Sequence, residues 1–181
     1  SNQICYSLLD RRASGEMSEI CQEFGIKLFA FGTLAGGFLS KKWLGKKEPK
    51  ISDDLNWSQM KYKRFIDVTG GWKKFQNLLE TLDELSIKKN TSISNISSRY
   101  ILEDPNVASV IIGARLGESD HINENKKIYD VNFNEEDKKL LSKSLNLLDV
   151  VPGDCGDEYR KPPFLTASGD LSHHLSSMSK V

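Results

Sequence analysis

The chain has 181 residues, enough for one domain with a real core and too few for two at about 150 residues each. Basic and acidic residues number 25 each, so the net charge is zero with histidine neutral. That balance excludes the surplus of one sign that a nucleic-acid footprint or a polybasic membrane anchor requires.

Hydrophobic residues make up 38% and charged residues 28%, which suits a globular domain. No apolar run approaches the roughly 20 residues of a membrane span, and Ser1 to Leu8 lack the charged start and apolar core of a signal peptide. Cys5, Cys21 and Cys155 are odd in number and widely spaced, with neither a disulfide framework nor a metal spacing. They read as reduced thiols of a cytoplasmic chain. The sequence opens at Ser1 and enters a buried strand by Gln3, which predicts an N-terminus that is incomplete.

In chain order, residues 3–8 (Gln-Ile-Cys-Tyr-Ser-Leu) predict a short strand. Met17, Ile20, Cys21 and Phe24 fall at i, i+3, i+4 and i+7, one apolar helical face, and Gly25 sits where a helix-ending glycine belongs. Residues 26–31 (Ile-Lys-Leu-Phe-Ala-Phe) predict a second strand, running into Gly32-Thr33-Leu34-Ala35-Gly36-Gly37-Phe38-Leu39. From Ser40 to about Gly70 no period is apparent, and the segment reads as a long functional or mobile loop. Trp72, Phe75, Leu78, Leu79, Leu82 and Leu85 mark a strongly amphipathic helix. Thr91 or Ser92 caps another, with Ile93, Ile96, Tyr100 and Ile101 on one face, ending before Pro105. Residues 107–112 (Val-Ala-Ser-Val-Ile-Ile) are the clearest buried strand, followed at once by Gly113-Ala114-Arg115. Ser119 or Asp120 caps a short helix through Lys127, and Asn134 caps a last one carrying Leu140, Leu141, Leu145 and Leu148. Residues 150–181 are polar and irregular, a weakly ordered tail.

Strands alternating with helices imply right-handed crossovers and a parallel sheet covered on both faces. Three strands leave two unpaired edges, so the pattern reads as part of a larger α/β unit. Ligands of such folds sit at the carboxyl ends of strands. Here those ends are Asp10-Arg11, residues 31–37 and residues 113–115. The last two combine glycines with nearby cations, Lys41-Lys42 and Arg115, a chemistry that suits phosphate. The plainer alternative is that the glycines close tight turns and the lysines are solvated. Neither a G-x-G-x-x-G after a strand nor a Walker A occurs. Cys5 and Cys21 fall at core positions, and His173 and His174 lie in the tail.

Asn2-Gln3-Ile4 leading to Tyr6-Ser7-Leu8-Leu9, the segment from Phe31 to Leu39, and Val110-Ile111-Ile112-Gly113-Ala114-Arg115 together resemble the C-terminal half of an aldo-keto reductase. The similarity covers about residues 1–149, and the tail from Pro152-Gly153-Asp154 is similar to extensions of fungal-type members. The resemblance implies a partial (β/α)8 TIM barrel, α/β in class, with these strands as the sixth to eighth. It also implies NADP as cofactor. Gln3 would hydrogen-bond the nicotinamide carboxamide, and Phe31 stands where many members place a stacking tyrosine. Gly32, Leu34 and Gly36 match the segment around the pyrophosphate, and Lys42 a lysine that contacts it in some members. Gly113, Ala114 and Arg115 match the holder of the adenosine 2′-phosphate. His121 and Asn125 have the four-residue spacing of a Gln and an Asn that touch the 2′-phosphate and adenine, about two positions late. The family's catalytic Asp, Tyr, Lys and His would lie ahead of Ser1, and Tyr6 is not that tyrosine by motif. The implied parent reaction is hydride transfer between NADPH and a small-molecule aldehyde or ketone, or the matching alcohol. A truncated, non-catalytic nucleotide-binding or regulatory remnant is the alternative, and a degenerate fragment without activity a third reading.

Overall fold

A computed structural model describes residues 1–50, 55–114, 117 and 121–159. Three strands, β1 (Asn2–Cys5), β2 (Leu28–Phe31) and β3 (Val107–Ile111), form one parallel sheet in the order β1-β2-β3. All three stand where the apolar runs predict them. β1 is shorter than its run because Ser7 turns the chain: its Oγ accepts from the amides of Leu9 and Asp10, and its own amide donates to the Asp10 carbonyl.

Six helices connect and flank the strands among the described residues. α1 (Glu16–Glu23) ends as its sequence predicts. Gly25, at φ +63°, lets its own amide reach the Gln22 carbonyl and the Ile26 amide reach the Cys21 carbonyl, a Schellman motif. α3 (Gly71–Lys88) buries the stripe from Phe75 to Leu85, and α4 (Ile93–Leu102) starts at Ser92, whose side chain accepts from the Asn95 amide. α5 (Ile122–Lys126) is a short helix whose two candidate caps, Ser119 and Asp120, lie outside the described residues. α6 (Glu135–Leu145) opens on a capping box in which Asn134 and Asp137 each accept the other's amide.

The structure corrects the sequence expectations in four places. The segment from Ser40 to Gly70 is not one loop: it holds a 3-10 turn at Lys41–Trp43 and α2 (Trp57–Val68). Among the described residues the sheet is unequally covered: one face is packed along its length, and the other only at its carboxyl end, at Cys5 and in part at Phe31. Ile4, Leu28, Ala30 and Val107 pack against Ala13, Cys21 and Ile101, whereas Gln3, Phe29 and Ile111 on the opposite face are exposed among the described residues. The apolar face of α1 is only partly buried: Cys21 is covered, but Ile20 and Phe24 are 49% and 68% exposed, and Ile20 lines an open cleft shared with Val150, Val151 and Cys155. Residues 150–159, expected to be weakly ordered, turn back onto the strand ends and bury Val151, Asp157 and Glu158. The tail from 160 on lies outside the described residues.

The main core gathers Phe38, Phe75, Leu78, Leu79, Leu82 and Ile96 with Tyr62, Phe65 and Ile66 of α2 and Leu141 and Leu145 of α6. It lies beyond the carboxyl ends of the strands and to one side of the sheet, so α2 is held close to the glycine-bearing segment that follows β2.

Candidate functional site

Register decides which side chains share a face. Cys5, Phe31 and Ile111 align across the three strands, and Gln3, Phe29 and Ser109 align one row earlier. Both rows lie on the face away from α1 and α4. Past the Cys5 row the chain leaves β1 through Asp10–Arg12, β2 through the glycine segment and β3 through Gly113–Ala114. The parallel ladder therefore brings the two glycine-bearing exits side by side.

The exit from β2 is wound through left-handed conformations, with φ of +70° at Gly32, +48° at Ala35, +64° at Gly36 and +87° at Gly37. Amide donors from Ala35 to Gly32, from Gly37 to Leu34 and from Leu39 to Leu34 close it into a compact turn. Two of these glycines have a packing role. A Cβ on Gly32 would collide with the Tyr62 hydroxyl, and one on Gly36 would stand 2.8 Å from Tyr62 Cδ2. Gly37 and Gly113 instead face open space, with nothing within 4 Å of a built Cβ. Thr33, next to Gly32, is buried, and its Oγ1 has no hydrogen-bond partner among the described residues.

Over the Phe31 ring stands a half-buried ammonium. Lys61 Nζ lies 5.5 Å from the Phe31 centroid, 5.5 Å from that of Tyr62 and 5.0 Å from that of Tyr159, and donates to Tyr159 Oη at 3.2 Å. Three aromatic faces stabilise a cation that has left part of its water. Burial raises the Tyr159 hydroxyl pKa above its usual value, and the ammonium beside it offsets part of that rise.

Beneath lies an ion network. Arg12 donates from Nε to Asp10 Oδ1 at 2.8 Å, and from Nη2 to both Asp10 Oδ2 and Glu158 Oε2 at 2.7 Å. Its Nη1 holds the Asp154 carbonyl at 2.6 Å. All three side chains are at most 4% exposed. Burial opposes the charge on Arg12, but bonds to Asp10 and Glu158 outweigh it and push its pKa above the usual range. Cys5 Sγ joins the two carboxylates within 4.8 Å. Its pKa is pushed far above the usual thiol range, first by burial and then by Asp10, so the thiol stays protonated. With both carboxylates already taken by a guanidinium, this donor set suits an ion network better than a metal ion.

The sequence-predicted residues divide accordingly. Phe31, Gly32, Leu34, Gly36, Gly113 and Ala114 gather at the adjoining ends of β2 and β3, and Gln3 lies on the same exposed sheet face. Lys42 is exposed, its Nζ 5.6 Å from the Trp43 ring centroid. His121, exposed, precedes α5, and Asn125 stands half-buried on it; α5 is tied to α4 by Asn95 Nδ2, which donates to the Glu124 carbonyl at 2.8 Å. Arg115 lies outside the described residues. Sequence reasoning missed Lys61, Tyr62, Tyr159 and the Arg12–Glu158 pair. The first two had a signal in the Asn56-x-x-Gln59 capping box and the Tyr62, Phe65, Ile66, Thr69 stripe at helical spacing. A cleft of about 720 Å³, lined by Tyr6, Arg12, Met17, Ile20, Tyr100 and Asp154 among others, adjoins the ion network and includes none of the expected cofactor-binding residues.

Comparison with known proteins bears on this arrangement. The model of the aldo/keto reductase family matches residues 1–146. The chain belongs to the aldo/keto reductase family. A curated relative, the uncharacterized oxidoreductase YrpG of Bacillus subtilis (strain 168), is 25% identical over 156 residues, which is 84% of this chain. Among solved structures, the glycerol dehydrogenase AKR11B4 from Gluconobacter oxydans superposes with a TM-score of 0.64 at 17% identity, covering 84% of this chain. The thermostable aldo-keto reductase Tm1743, solved with the inhibitor epalrestat, gives 0.51 at 23% identity over 78%. At these identities the two structures speak for the fold alone. This aldo/keto reductase chain spans 40% of the curated relative and 44% and 38% of the two solved chains. Among the described residues no helix is long and apolar enough to cross a membrane.

Proposed function

We propose that this chain is the C-terminal, cofactor-holding portion of a (β/α)8 aldo/keto reductase barrel, cytoplasmic and of fungal type. The parent would move hydride between NADPH and a small-molecule aldehyde, ketone or alcohol. The observation that carries the reading is the junction of the β2 and β3 exits. Gly37 and Gly113 open onto free space, and the buried Thr33 hydroxyl lacks a partner at the same turn. Backbone amides of such a turn suit a pyrophosphate.

The residues fit an NADP cofactor in part. Phe31 offers an apolar ring face and Gln3 an exposed carboxamide on the same side of the sheet. Gly32 and Gly36, by contrast, are used to seat Tyr62. The nicotinamide would supply or accept the hydride. The chain's own residues would orient it: Phe31 by stacking, Gln3 by its amide, the glycine turn and Gly113–Ala114 by backbone approach to phosphate. The family's proton donor belongs to the segment expected ahead of Ser1, so this reading expects no turnover from the chain alone.

Titration of the 181-residue chain against NADPH and NADH, read by nicotinamide fluorescence, tests the reading. The expected result is saturable NADPH binding that weakens on Phe31→Ala. Arg115→Ala should weaken NADPH by at least about tenfold and leave NADH nearly unchanged, since only NADPH carries the 2′-phosphate. Absence of saturable binding would sink the proposal, and equal losses for both cofactors would remove Arg115 from it.

A further inference from the structure

Phe31 is not a free platform. Its ring carries the Lys61 ammonium, and Lys61 is held there by the Tyr159 hydroxyl. Tyr159 in turn ends a segment that returns from Asp149 and is pinned at two points by one side chain. Arg12 takes the Asp154 carbonyl and the buried carboxylate of Glu158. We propose that residues 151–159 form a latched strap that competes with a nicotinamide ring for Phe31. With the strap down, Tyr159 holds Lys61 over the ring; with the Arg12–Glu158 pair broken, Tyr159 lets Lys61 go and the ring is released. The inference rests on the reading of Phe31 as the nicotinamide platform.

Three features suit the segment to this role. The first is the arithmetic of the latch. One guanidinium serves two carboxylates, Asp10 and Glu158, all nearly fully buried. If Glu158 leaves, Arg12 keeps Asp10 through two nitrogens, and Glu158 regains its hydration. Opening therefore leaves no unpaired buried charge, which is the usual large penalty for breaking a buried pair. The second is the backbone. Gly153 and Gly156, at φ +83° and +86°, wind the strap tightly, and Asp157 closes its turn by accepting the Asp154 amide at 2.8 Å. The third is charge. An oxidised nicotinamide ring is cationic, so the Lys61 ammonium over Phe31 repels it more than the reduced, neutral ring.

The full chain and its Glu158→Gln variant provide the test, with two readouts on each. Strap position is read from acylation of Lys61 by an amine-reactive ester, followed by mass spectrometry. Cofactor binding is read from NADPH fluorescence. The variant should label faster at Lys61 and bind NADPH at least about threefold more tightly, because a ligand's apparent affinity scales with the fraction of open protein. NADPH should also speed Lys61 labelling in the unaltered chain. Faster labelling with unchanged, measurable NADPH affinity would overturn the strap while leaving the platform reading intact. Faster labelling with no NADPH binding to either protein would overturn the platform reading itself, and the strap with it. Unchanged labelling would overturn the latch. If circular dichroism shows that Glu158→Gln does not fold, Tyr159→Ala, which keeps the ion pair and removes the hydroxyl and ring that hold Lys61 over Phe31, carries the same comparison.

Discussion

Single residues carry conflicting duties in the glycine turn. Gly32 and Gly36 match a cofactor motif, yet the immediate reason that they lack a side chain is Tyr62. A Cβ at either would strike the tyrosine ring, and both sit at positive φ, where an L side chain is strained. Gly36→Ala should therefore destabilise the chain by about 1–3 kcal/mol, read as a lower urea midpoint. Measured in a Tyr62→Ala background, which is itself less stable, Gly36→Ala should cost less, leaving the backbone strain and the Ser58 carbonyl contact. A full loss that Tyr62→Ala does not touch would show that the ring contact is immaterial. Asp137 offers a second residue-scale case. Burial works against its charge, but hydrogen bonds from Lys88 at 2.7 Å and from Lys89, with the Asn134 amide, hold its pKa down to about 2. A carboxyl whose pKa is lower folded than unfolded stabilises the fold above its unfolded value. That contribution is lost as pH falls from about 4 through about 2. Asp137→Asn should flatten the stability curve in that window and cost about 1–2 kcal/mol at neutral pH. An acid limb identical in both proteins would refute this account.

At the scale of elements, the legible parts were those whose apolar period survives without help. The stripe from Phe75 to Leu85 buries what its sequence says it should; the runs at 28–31 and 107–111 form their strands but bury only Leu28 and Ala30 in the one and Val107 in the other. α2 was not legible by period alone, because its face is interrupted by lysines, one of which is buried. Lys63 is buried and answers Glu48 and Asp67 with its ammonium; burial lowers its pKa, and the two carboxylates more than restore it. What marks α2 is its start: Asn56 accepts the Gln59 amide at 2.9 Å and Gln59 accepts that of Asn56 at 3.1 Å. Asn56→Ala should cost about 1 kcal/mol, appearing as faster amide hydrogen exchange in the first turns of α2. Since α2 carries Lys61 and Tyr62, Lys61 should also become easier to acylate. Unchanged exchange would mean that tertiary packing alone holds the helix. The strap at 151–159 was illegible for a different reason. It has few apolar residues, and it is held by a buried ion pair spanning |i−j| = 146, a contact that no local pattern announces.

The whole molecule is half covered. One face of the sheet rests on α1 and α4, while the other shows Phe29 at 38% and Ile111 at 42% exposure, with Gln3 beside them. β1 and β3 each have one edge without a strand partner among the described residues. In a closed barrel that face would be the interior and the edges would be paired. An apolar face bounded by two open edges favours association with another copy, through burial and through strand pairing at once. The chain should therefore self-associate as concentration rises, with sedimentation velocity showing species larger than 20.4 kDa. Replacing both apolar positions, Phe29→Lys with Ile111→Lys, should restore the monomer by adding two like charges to the face. Because both side chains are already partly in water, the melting temperature should fall little, in contrast to truncation of a buried residue such as Phe75. A chain that stays monomeric at every concentration would mean that the exposed face is tolerated in water and is no sign of a barrel interior. Self-association that the two lysines leave unchanged would place the contact on another surface. The exposed Phe24 and Ile20 of α1 are the next positions to alter.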